Sequence, residues 1–394
     1  MKKVLIIEAQ MKQYRVPFYL LLRDVLAANG IELRVAYSDP PPSEVSRNDT
    51  CNLPSPVGLK VPGYWLWPDR LLYQPLLTTA LFFDLVIVDQ GNRFLLNHFL
   101  LPLARVGARK IAFWGLGENR QAGRIVFSEW HRLKTLNWAS WWFAYTKGTA
   151  GYLEQHGVPS SKITAVQNSV DTKEISSCVK NLTAEARLAI RERTGIPRTA
   201  PTGIYCGMLD KVKSVPFLIE ASRIIKAKLT DFHLILLGGG PEQQAIEALI
   251  REHPWIHLLG PRFGKEKAEF MAISDALLAP GRVGLVVLDA FAAGLPLLTT
   301  RLPIHGPEFE YLEEEQNGVT TEPRIEAFAD AVIRLFGEPD RLRHLKEGAR
   351  TSAEKYSIEA MVENFRSGIH QCLHPPRWHW SYSKLPGERD IRGH

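Results

Sequence analysis

The sequence has few cysteines, no long basic run and no long apolar segment, and each shortage excludes a class of protein. Its 394 residues include four cysteines, at 51, 178, 206 and 372, with no C-x-x-C pair. We therefore expect neither a disulfide framework nor a zinc site. We also expect the protein to reside in a reducing compartment. Charge or proline interrupts every apolar stretch well before ~18 residues, so no segment is predicted to span a bilayer.

The N-terminus gives no sign of export, and the positive charge is confined to the first half of the chain. Glu8 ends the first apolar run, which is too short for a signal-peptide core. The net charge of +6 lies within residues 1–172, because residues 173–394 carry 29 groups of each sign. A basic half can face nucleic acid, an anionic membrane or a phosphorylated substrate. Because there is no long Lys/Arg run, we expect no nucleic-acid partner. We expect a cytoplasmic protein, either free or peripheral to the inner face of the cell membrane.

Short apolar runs alternate with helical patterns along both halves of the chain. Helices are predicted at 16–29 and 183–194 and across 326–372, and residues 39–68 are predicted to be a long loop. The predicted strands are 4–7, 32–36, 85–88, 110–114, 142–145 and 164–167, then 202–206, 233–237, 256–259, 276–278 and 297–299. This alternation is typical of parallel sheets covered on both faces. The fold class is therefore α/β, with two tandem Rossmann-like, doubly wound domains.

The two series of strands suggest the division of the chain. We predict a first domain at 1–172, a linker at 173–200 and a second domain at 201–355. Residues 356–394 are predicted to form a C-terminal helix and tail, which can return to the first domain.

The most informative segment is 279–296, APGRVGLVVLDAFAAGLP. It follows a strand, and its apolar helix is predicted to begin near Gly284, to end at Gly294 and to be buried on every side. Asp289 is the only ionisable residue on this helix, and a buried carboxylate needs a partner. That partner is either Arg282 or Arg301, or a ligand. The glycines favour a ligand, since they let a phosphate approach the first N–H groups of the helix and place a ribose near Asp289.

Several segments together resemble family 4 glycosyltransferases, also called group 1 glycosyltransferases. Segment 279–296 resembles the family's E-x7-E region, and 164–171 (TAVQNSVD) its I-x-N-G-V-D signature. Residues 207–214 (GMLDKVKS) resemble its G-R-L-x-x-x-K-G turn, and 236–242 (LLGGGPE) its G-x-G-P turn. The match is good from about 145 to 320. The resemblance implies a GT-B fold with a nucleotide-sugar donor on the second domain and an acceptor on the first.

The sequence departs from the family pattern at several positions. Gly281 replaces the first Glu of E-x7-E, Asp289 the second, and Met208 the Arg of the turn. Leu116 lies where many members have a histidine, and 10–17 (QMKQYRVP) replace the glycine-rich loop. The loops Q-x-Y-R-x-P and H-x-P-E, here 305–308, resemble a divergent branch of the family.

The resemblance implies a retaining, metal-independent hexosyltransferase that uses a nucleoside-diphosphate sugar and no cofactor. No D-x-D sequence is present, so the cation ligand of the metal-dependent alternative is missing. The predicted catalytic residues are Glu118, Asn119 and Lys213. The predicted donor-binding residues are Gly207, Lys213, Gly239, Arg282, Gly284, Leu285, Val286 and Asp289. The second-rank cleft residues are Gln10, Tyr14, Arg15, Gly115, Gly117, His305 and Glu308.

Two loops of the first domain are predicted to meet in the cleft. Gln10, Tyr14 and Arg15 follow the first strand, and residues 115–119 follow a later strand, so both loops lie at the carboxyl edge of the sheet. Either Glu118 pairs with Arg15 as a structural ion pair, or Glu118 and Asn119 position a hydroxyl while Arg15 faces a phosphate. Two further residues have a structural alternative to a role in the site. His305 could be a core histidine whose ring nitrogens are hydrogen-bonded within the protein, and Lys213 could be an ordinary surface lysine.

Four of the ten tryptophans, at 130, 138, 141 and 142, fall within 13 residues. On one helix they would occupy about a third of the circumference. They would then either dock a membrane or lipid-linked acceptor or pack on the first sheet, and we favour the packing.

The expected partners are a nucleotide sugar and a saccharide or lipid-linked acceptor, most commonly in bacterial polysaccharide or glycoconjugate synthesis. The alternatives are a nucleotide-sugar epimerase on the same fold and a non-catalytic descendant that binds a nucleotide sugar.

Overall fold

The computed structural model describes residues 1–47, 49–67, 69–117 and 126–375 of the chain. Within these residues, no helix is both long and apolar enough to cross a membrane.

The first half folds around a parallel sheet of seven strands. The strands of this half are β1 Lys2–Gln10, β2 Ile31–Ser38, β3 Gly58–Lys60, β4 Tyr64–Leu66, β5 Leu71–Tyr73, β6 Leu85–Asp89, β7 Lys110–Gly115, β8 Trp141–Ala144 and β9 Ile163–Ala165. The order across the sheet is β3-β2-β1-β6-β7-β8-β9, while β4 and β5 form a separate antiparallel pair. Five helices join these strands: α1 Val16–Ala28, α2 Leu77–Ala80, α3 Leu95–Arg105, α4 Val126–Thr135 and α5 Lys147–Gln155.

The second half folds around a parallel sheet of six strands. They are β10 Thr202–Cys206, β11 His233–Leu237, β12 Ile256–Gly260, β13 Ala276–Leu278, β14 Leu297–Thr300 and β15 Gly318–Thr321, in the order β12-β11-β10-β13-β14-β15. The helices are α6 Lys173–Asn181, α7 Ala184–Thr194, α8 Val215–Lys228, α9 Gln243–Ile250, α10 Gly264–Ala272, α11 Val286–Ala292, α12 Ile325–Gly337, α13 Pro339–Lys355 and α14 Ile358–Leu373. Short 3-10 turns include Gln13–Arg15, Lys211–Lys213 and Pro307–Tyr311.

The central strands are buried because helices cover both faces of each sheet. Leu5 and Ile6 are neighbours on β1 and point to opposite faces, yet both are fully buried, in separate clusters. Leu234 and Ile235 behave in the same way on β11. Continuous apolar runs, rather than alternating ones, are therefore the correct sequence signal for these strands.

Helix α14 packs on the first sheet although it follows the second. Phe365 stacks on Phe143 of β8 with ring centroids 4.8 Å apart, and it contacts Phe18 of α1 at 5.0 Å. Lys110 donates hydrogen bonds to the carbonyl oxygens of Cys372 and Leu373. The last described helix thus completes the core of the first half. The predicted tail falls largely on residues 376–394, which lie outside the described residues.

Three local predictions differ from the structure. The loop at 39–68 contributes β3, which pairs with β2 at the sheet edge, and β4, which pairs with β5. Neither β5 nor β15 was predicted. The tryptophans do not share one helix, because Trp141 and Trp142 lie on β8, where Trp142 is fully buried. Trp138 lies in a 3-10 turn against Arg105, and only Trp130 of the four is exposed. The strand alternates the direction of its side chains, so no continuous tryptophan surface forms.

Candidate active site

Asp289 contacts a lysine of the neighbouring helix. Its side chain is 19% exposed, and Lys267 Nζ on α10 lies 3.1 Å from its Oδ2. Burial raises the pKa of the Asp289 carboxyl, and Lys267 opposes that rise. The expectation that Asp289 has a partner is confirmed, but both arginines predicted for the structural pairing are wrong. Arg301 pairs with Glu322, and the side chain of Arg282 is exposed.

The residues before α11 are accessible from the carboxyl edge of the second sheet. The helix begins at Val286, two residues later than predicted, and Gly284, Leu285 and Val286 are half-buried rather than buried. No heavy atom lies within 4 Å of a Cβ built on Gly284. The open space beside Gly284 lets a ligand approach the backbone closely.

Lys213 is tied to this loop, which follows β13. Its Nζ donates a hydrogen bond to the carbonyl oxygen of Arg282 at 2.7 Å, and the backbone N–H of Arg282 donates to Val212 O at 2.8 Å. Burial lowers the pKa of the Lys213 ammonium, while Asp210 raises it. The lysine therefore lies beside the open loop, as a phosphate-binding role requires.

Gly281 is required by the packing of these two turns. A Cβ at this position would overlap the backbone of Lys213, with Lys213 Cα only 2.6 Å away. No side chain fits at 281 while Lys213 holds this position. The glycine that replaces the family's Glu at 281 and the family's lysine at 213 thus belong to one packing arrangement.

Two glycine turns at the ends of β10 and β11 pack backbone against backbone. Gly207 donates a hydrogen bond to Leu237 O, and Leu209 donates to Gly239 O. A Cβ on Gly238 would overlap the backbone of Gly207, and Gly240 has φ +157° with Leu209 N only 2.9 Å from its built Cβ. These glycines are explained by close packing of the turns.

His305 is held by hydrogen bonds at both ring nitrogens. Its Nδ1 accepts from the backbone N–H of Val283 at 3.0 Å, and its Nε2 lies 2.7 Å from Thr300 O, so the proton is assigned to Nε2. Burial lowers the pKa of the ring. His305 therefore positions the loop at 283 as a neutral core histidine, which matches the structural alternative.

The turn Pro307–Tyr311 connects the two halves of the site. Glu308 is buried, and its Oε1 accepts a hydrogen bond from Asn168 Nδ2 at 2.5 Å. Tyr311 donates to Asn168 O at 3.0 Å, and Glu310 accepts from the N–H of Gly148 in the first turn of α5. Asn168 lies in the predicted I-x-N-G-V-D segment, so that segment joins the two sheets.

The first predicted loop contacts the strand that leads into the second. Arg15 is 7% exposed, and its Cζ lies 4.7 Å from the ring centroid of Trp114, which precedes Gly115. Tyr14 stays 45% exposed beside it, and Gln10 donates to Glu44 at 2.7 Å.

The described part of the second predicted loop ends at Gly117. Gly117 has φ +70°, a left-handed conformation that suits glycine. Glu118 and Asn119 lie outside the described residues, so their predicted roles and the Glu118–Arg15 pair stay predictions.

Sequence reasoning missed two half-buried carboxyl groups near Arg15. Glu8 accepts a hydrogen bond from Tyr19, and burial raises its pKa. Asp89 ends β6, and burial, with a contribution from Glu8, raises its pKa to about 7. An acid directly after the apolar run 85–88 was a visible signal for Asp89. Lys267, by contrast, carried no sequence signal that linked it to Asp289.

Comparison with known proteins agrees with this geometry. Residues 200–338, which contain Lys213 and Asp289, match the family model described as "Glycosyl transferases group 1". The chain is 27% identical over 201 residues to an alpha-D-kanosaminyltransferase of Streptomyces kanamyceticus, covering 49% of this chain and 51% of that protein. It is 26% identical over 224 residues to a D-inositol 3-phosphate glycosyltransferase of Corynebacterium urealyticum, covering 52% and 51%.

The fold has solved counterparts over almost its whole length. The crystal structure of Anabaena Alr3699/HepE in complex with UDP has a TM-score of 0.68 with 14% identity, covering 94% of this chain and 100% of that chain. The fold class is thus confirmed as GT-B, with two Rossmann-like sheets. The family match at 200–338 agrees with the predicted resemblance to the group 1 glycosyltransferases over this part of the chain. The chain spans about half the length of the curated relatives it matches.

Proposed function

We propose that the protein is a retaining glycosyltransferase that moves a sugar from a nucleoside-diphosphate sugar to a hydroxyl group of a saccharide or lipid-linked acceptor. The donor binds to the second domain, residues 201–355, and the acceptor to the first, residues 1–172, with 173–200 as the linker. The observation that carries the proposal is the placement of Lys213 against the open loop before α11, two turns that the family match covers.

The donor site follows from the residues around that loop. The diphosphate binds at the N–H groups of residues 284–286, where the open space beside Gly284 admits it, and Lys213 supplies a positive charge. Asp289 accepts hydrogen bonds from the ribose hydroxyls through Oδ1, while Lys267 holds Oδ2. The UDP bound to Anabaena Alr3699/HepE, which shares the fold, supports a nucleotide ligand.

Transfer breaks the bond between the anomeric carbon and the β-phosphate oxygen, and the nucleoside diphosphate leaves with the electron pair. The acceptor oxygen forms the new bond on the same face, and its proton passes to the departing phosphate. Because negative charge grows on that phosphate, Lys213 and the loop N–H groups stabilise the transition state more than the ground state. This route needs no enzyme nucleophile, and the positive groups of the chain take the place of a metal ion.

The names of the curated relatives support an acceptor that carries hydroxyl groups. One relative is named for an inositol phosphate and another for transfer of kanosamine. We place the activity in the cytoplasm, free or at the inner membrane face, in bacterial polysaccharide or glycoconjugate synthesis.

Two other functions fit the same fold and are separated by one assay. An epimerase would convert a sugar nucleotide without an acceptor, and a non-catalytic descendant would bind a donor unchanged. We would incubate the protein with UDP-, GDP- and dTDP-sugars, with and without a saccharide panel, and follow nucleotide release and the anomeric configuration of products by NMR. Acceptor-dependent release with retained configuration supports the proposal, and an isomerised donor supports the epimerase. Binding without turnover supports the descendant.

The metal independence is tested in the same assay. Activity that survives treatment with EDTA and desalting supports it, whereas activity restored only by Mg²⁺ or Mn²⁺ contradicts it.

A further inference from the structure

Arg15 is a buried cation that no described residue neutralises directly. Its side chain lies at the carboxyl end of β1 with 7% exposure, and Nη1 is buried without a hydrogen-bond partner. Among the described residues, none forms an ion pair with the guanidinium or accepts a hydrogen bond from it. A guanidinium is always charged and only donates, so its missing partners must be acceptors. Burying such a group without them is costly.

Two aromatic rings hold the guanidinium. Its Cζ lies 4.7 Å from the centroid of the Trp114 ring and 5.2 Å from that of Tyr14. Such contacts use the face of the planar group and leave its N–H edge available. That edge matches the paired oxygens of a carboxylate or phosphate.

The acidic groups around Arg15 do not replace such a ligand. Among the described residues, the carboxyl groups near Arg15 are Glu8 and Asp89, and neither is ion-paired with it. Burial raises the pKa of both, so each is held towards its neutral form. The other polar neighbours, Tyr19 and Tyr145, have pKa values raised by burial and are neutral. Among the residues that the structure describes, no carboxylate is therefore paired with the Arg15 guanidinium.

We propose that Arg15 binds an anionic group, a phosphate or a carboxylate, on the acceptor substrate. This inference rests on the proposed function and narrows its acceptor to an anionic molecule. The second domain supplies its own donor groups for the nucleotide diphosphate, at Lys213 and residues 284–286. Arg15 lies in the turn Gln13–Arg15 between β1 and α1 of the first half, and the exposed ring of Tyr14 beside it offers a face for a sugar ring.

The charge of Arg15 also reaches the opposite side of the cleft. Burial raises the pKa of the Tyr311 hydroxyl, and Arg15 opposes that rise. Tyr311 is bonded to Asn168, where the two halves join.

The test uses inorganic phosphate as the probe on the full chain. The protein is first saturated with whichever of UDP, GDP or dTDP it binds best, so that the donor diphosphate site is filled, and phosphate is then titrated by calorimetry. The variant R15M removes the charge and keeps an apolar chain between the rings. The control is R105M, because Arg105 also stacks on a tryptophan, Trp138, with the same 4.7 Å separation.

We expect R15M to weaken phosphate binding at least tenfold and to leave nucleotide affinity unchanged, while R105M behaves like the parent. With an active acceptor, R15M raises the acceptor KM and not the donor KM. Phosphate binding by R15M at the parental affinity overturns the proposal. A tenfold loss of nucleotide affinity also overturns it, since the anion would then be the donor's own diphosphate. If R15M does not fold, R15K keeps the charge without the planar fork and should weaken phosphate binding at least threefold.

Failure of the wider function gives a different result. If none of the nucleotides binds to the parent, the donor assignment fails, and phosphate is titrated into the nucleotide-free protein instead. Loss of phosphate binding in R15M but not in K213M then still supports the anion site. Equal phosphate binding by the parent, R15M and K213M overturns it.

Discussion

Lys267 Nζ lies 3.1 Å from Oδ2 of Asp289, and this ion pair leaves Oδ1 of the carboxylate available at the edge of the donor loop. Burial raises the Asp289 pKa, and the lysine opposes that rise, which favours the charged form of the carboxylate. The pair therefore serves both the orientation and the charge of the proposed ribose-binding group.

We expect D289N to weaken nucleotide binding, because a neutral amide replaces a charged acceptor. The loss should be about 1.5 to 3 kcal/mol, roughly ten- to 150-fold in Kd. Isothermal titration with UDP, GDP and dTDP measures it. The matched control is D275N, since Asp275 pairs with Lys346 at 2.9 Å and has similar exposure. If D289N folds and binds nucleotide like the parent, Asp289 is outside the donor site.

We expect K213M to lower turnover more than donor affinity, because the ammonium meets the charge that develops on the leaving phosphate. The loss in kcat should be at least ~tenfold, about 1.4 kcal/mol in the barrier. Burial lowers the Lys213 pKa, so parental activity should decline with rising pH earlier than for an ordinary lysine. The exposed Lys211 of the same turn gives the control K211M. Normal turnover in K213M would remove Lys213 from the mechanism.

The two loop glycines should respond differently to alanine. G281A places a methyl group against the Lys213 backbone and should cost about 1 to 3 kcal/mol of stability, seen as a lower Tm. G284A meets no atom within 4 Å, so its Tm should stay near the parent's while nucleotide binding weakens where the phosphate approaches. A stable G281A, or a G284A with parental nucleotide affinity, contradicts the description of this loop.

The sequence predicted a feature correctly wherever the residues of a single strand or helix were enough to indicate it. The strands around Ile6 and Ile235 were predicted because continuous apolar runs need cover on both faces. The need of Asp289 for a partner was predicted for the same local reason, the cost of a buried charge. Its true partner could not be predicted, because Lys267 reaches it from another helix and nothing in the spacing of the two residues indicates contact.

Packing between turns was equally hidden from the sequence. Gly281 looked like the loss of a catalytic group, whereas its Cβ position is filled by the backbone of Lys213. The tryptophans looked like one helical face, because a helix was assumed across a strand boundary. In the first case the deciding contact joins residues that are distant in the sequence. In the second case a strand begins where a helix was expected to continue.

We expect E310Q to loosen the junction of the two halves. Glu310 accepts hydrogen bonds from the N–H of Gly148 at the start of α5, where a negative charge is favoured, so the change should cost about 0.5 to 1.5 kcal/mol. Limited proteolysis and the radius of gyration from X-ray scattering report the effect. The control is E313Q, because Glu313 pairs with Lys355 instead. Identical scattering and proteolysis for E310Q and the parent would show that this contact does not hold the halves together.

The last prediction concerns Asp89, whose pKa is raised to about 7 by burial. In the unfolded chain an aspartate ionises near pH 4, so between about pH 4 and 7 the folded state holds a proton that the unfolded state has lost. Stability from this group is therefore full below pH 4 and is lost as pH rises to about 7. D89N cannot ionise, so its free energy of unfolding relative to the parent should improve by at least ~1 kcal/mol from pH 4.5 to 8. Asp84 provides a control of opposite sign, because Lys2 lowers its pKa and its contribution is lost as pH falls. Urea unfolding at several pH values measures the free energy of unfolding of D89N and of the control D84N. A difference between D89N and the parent that is independent of pH would show that Asp89 is already ionised in the folded protein.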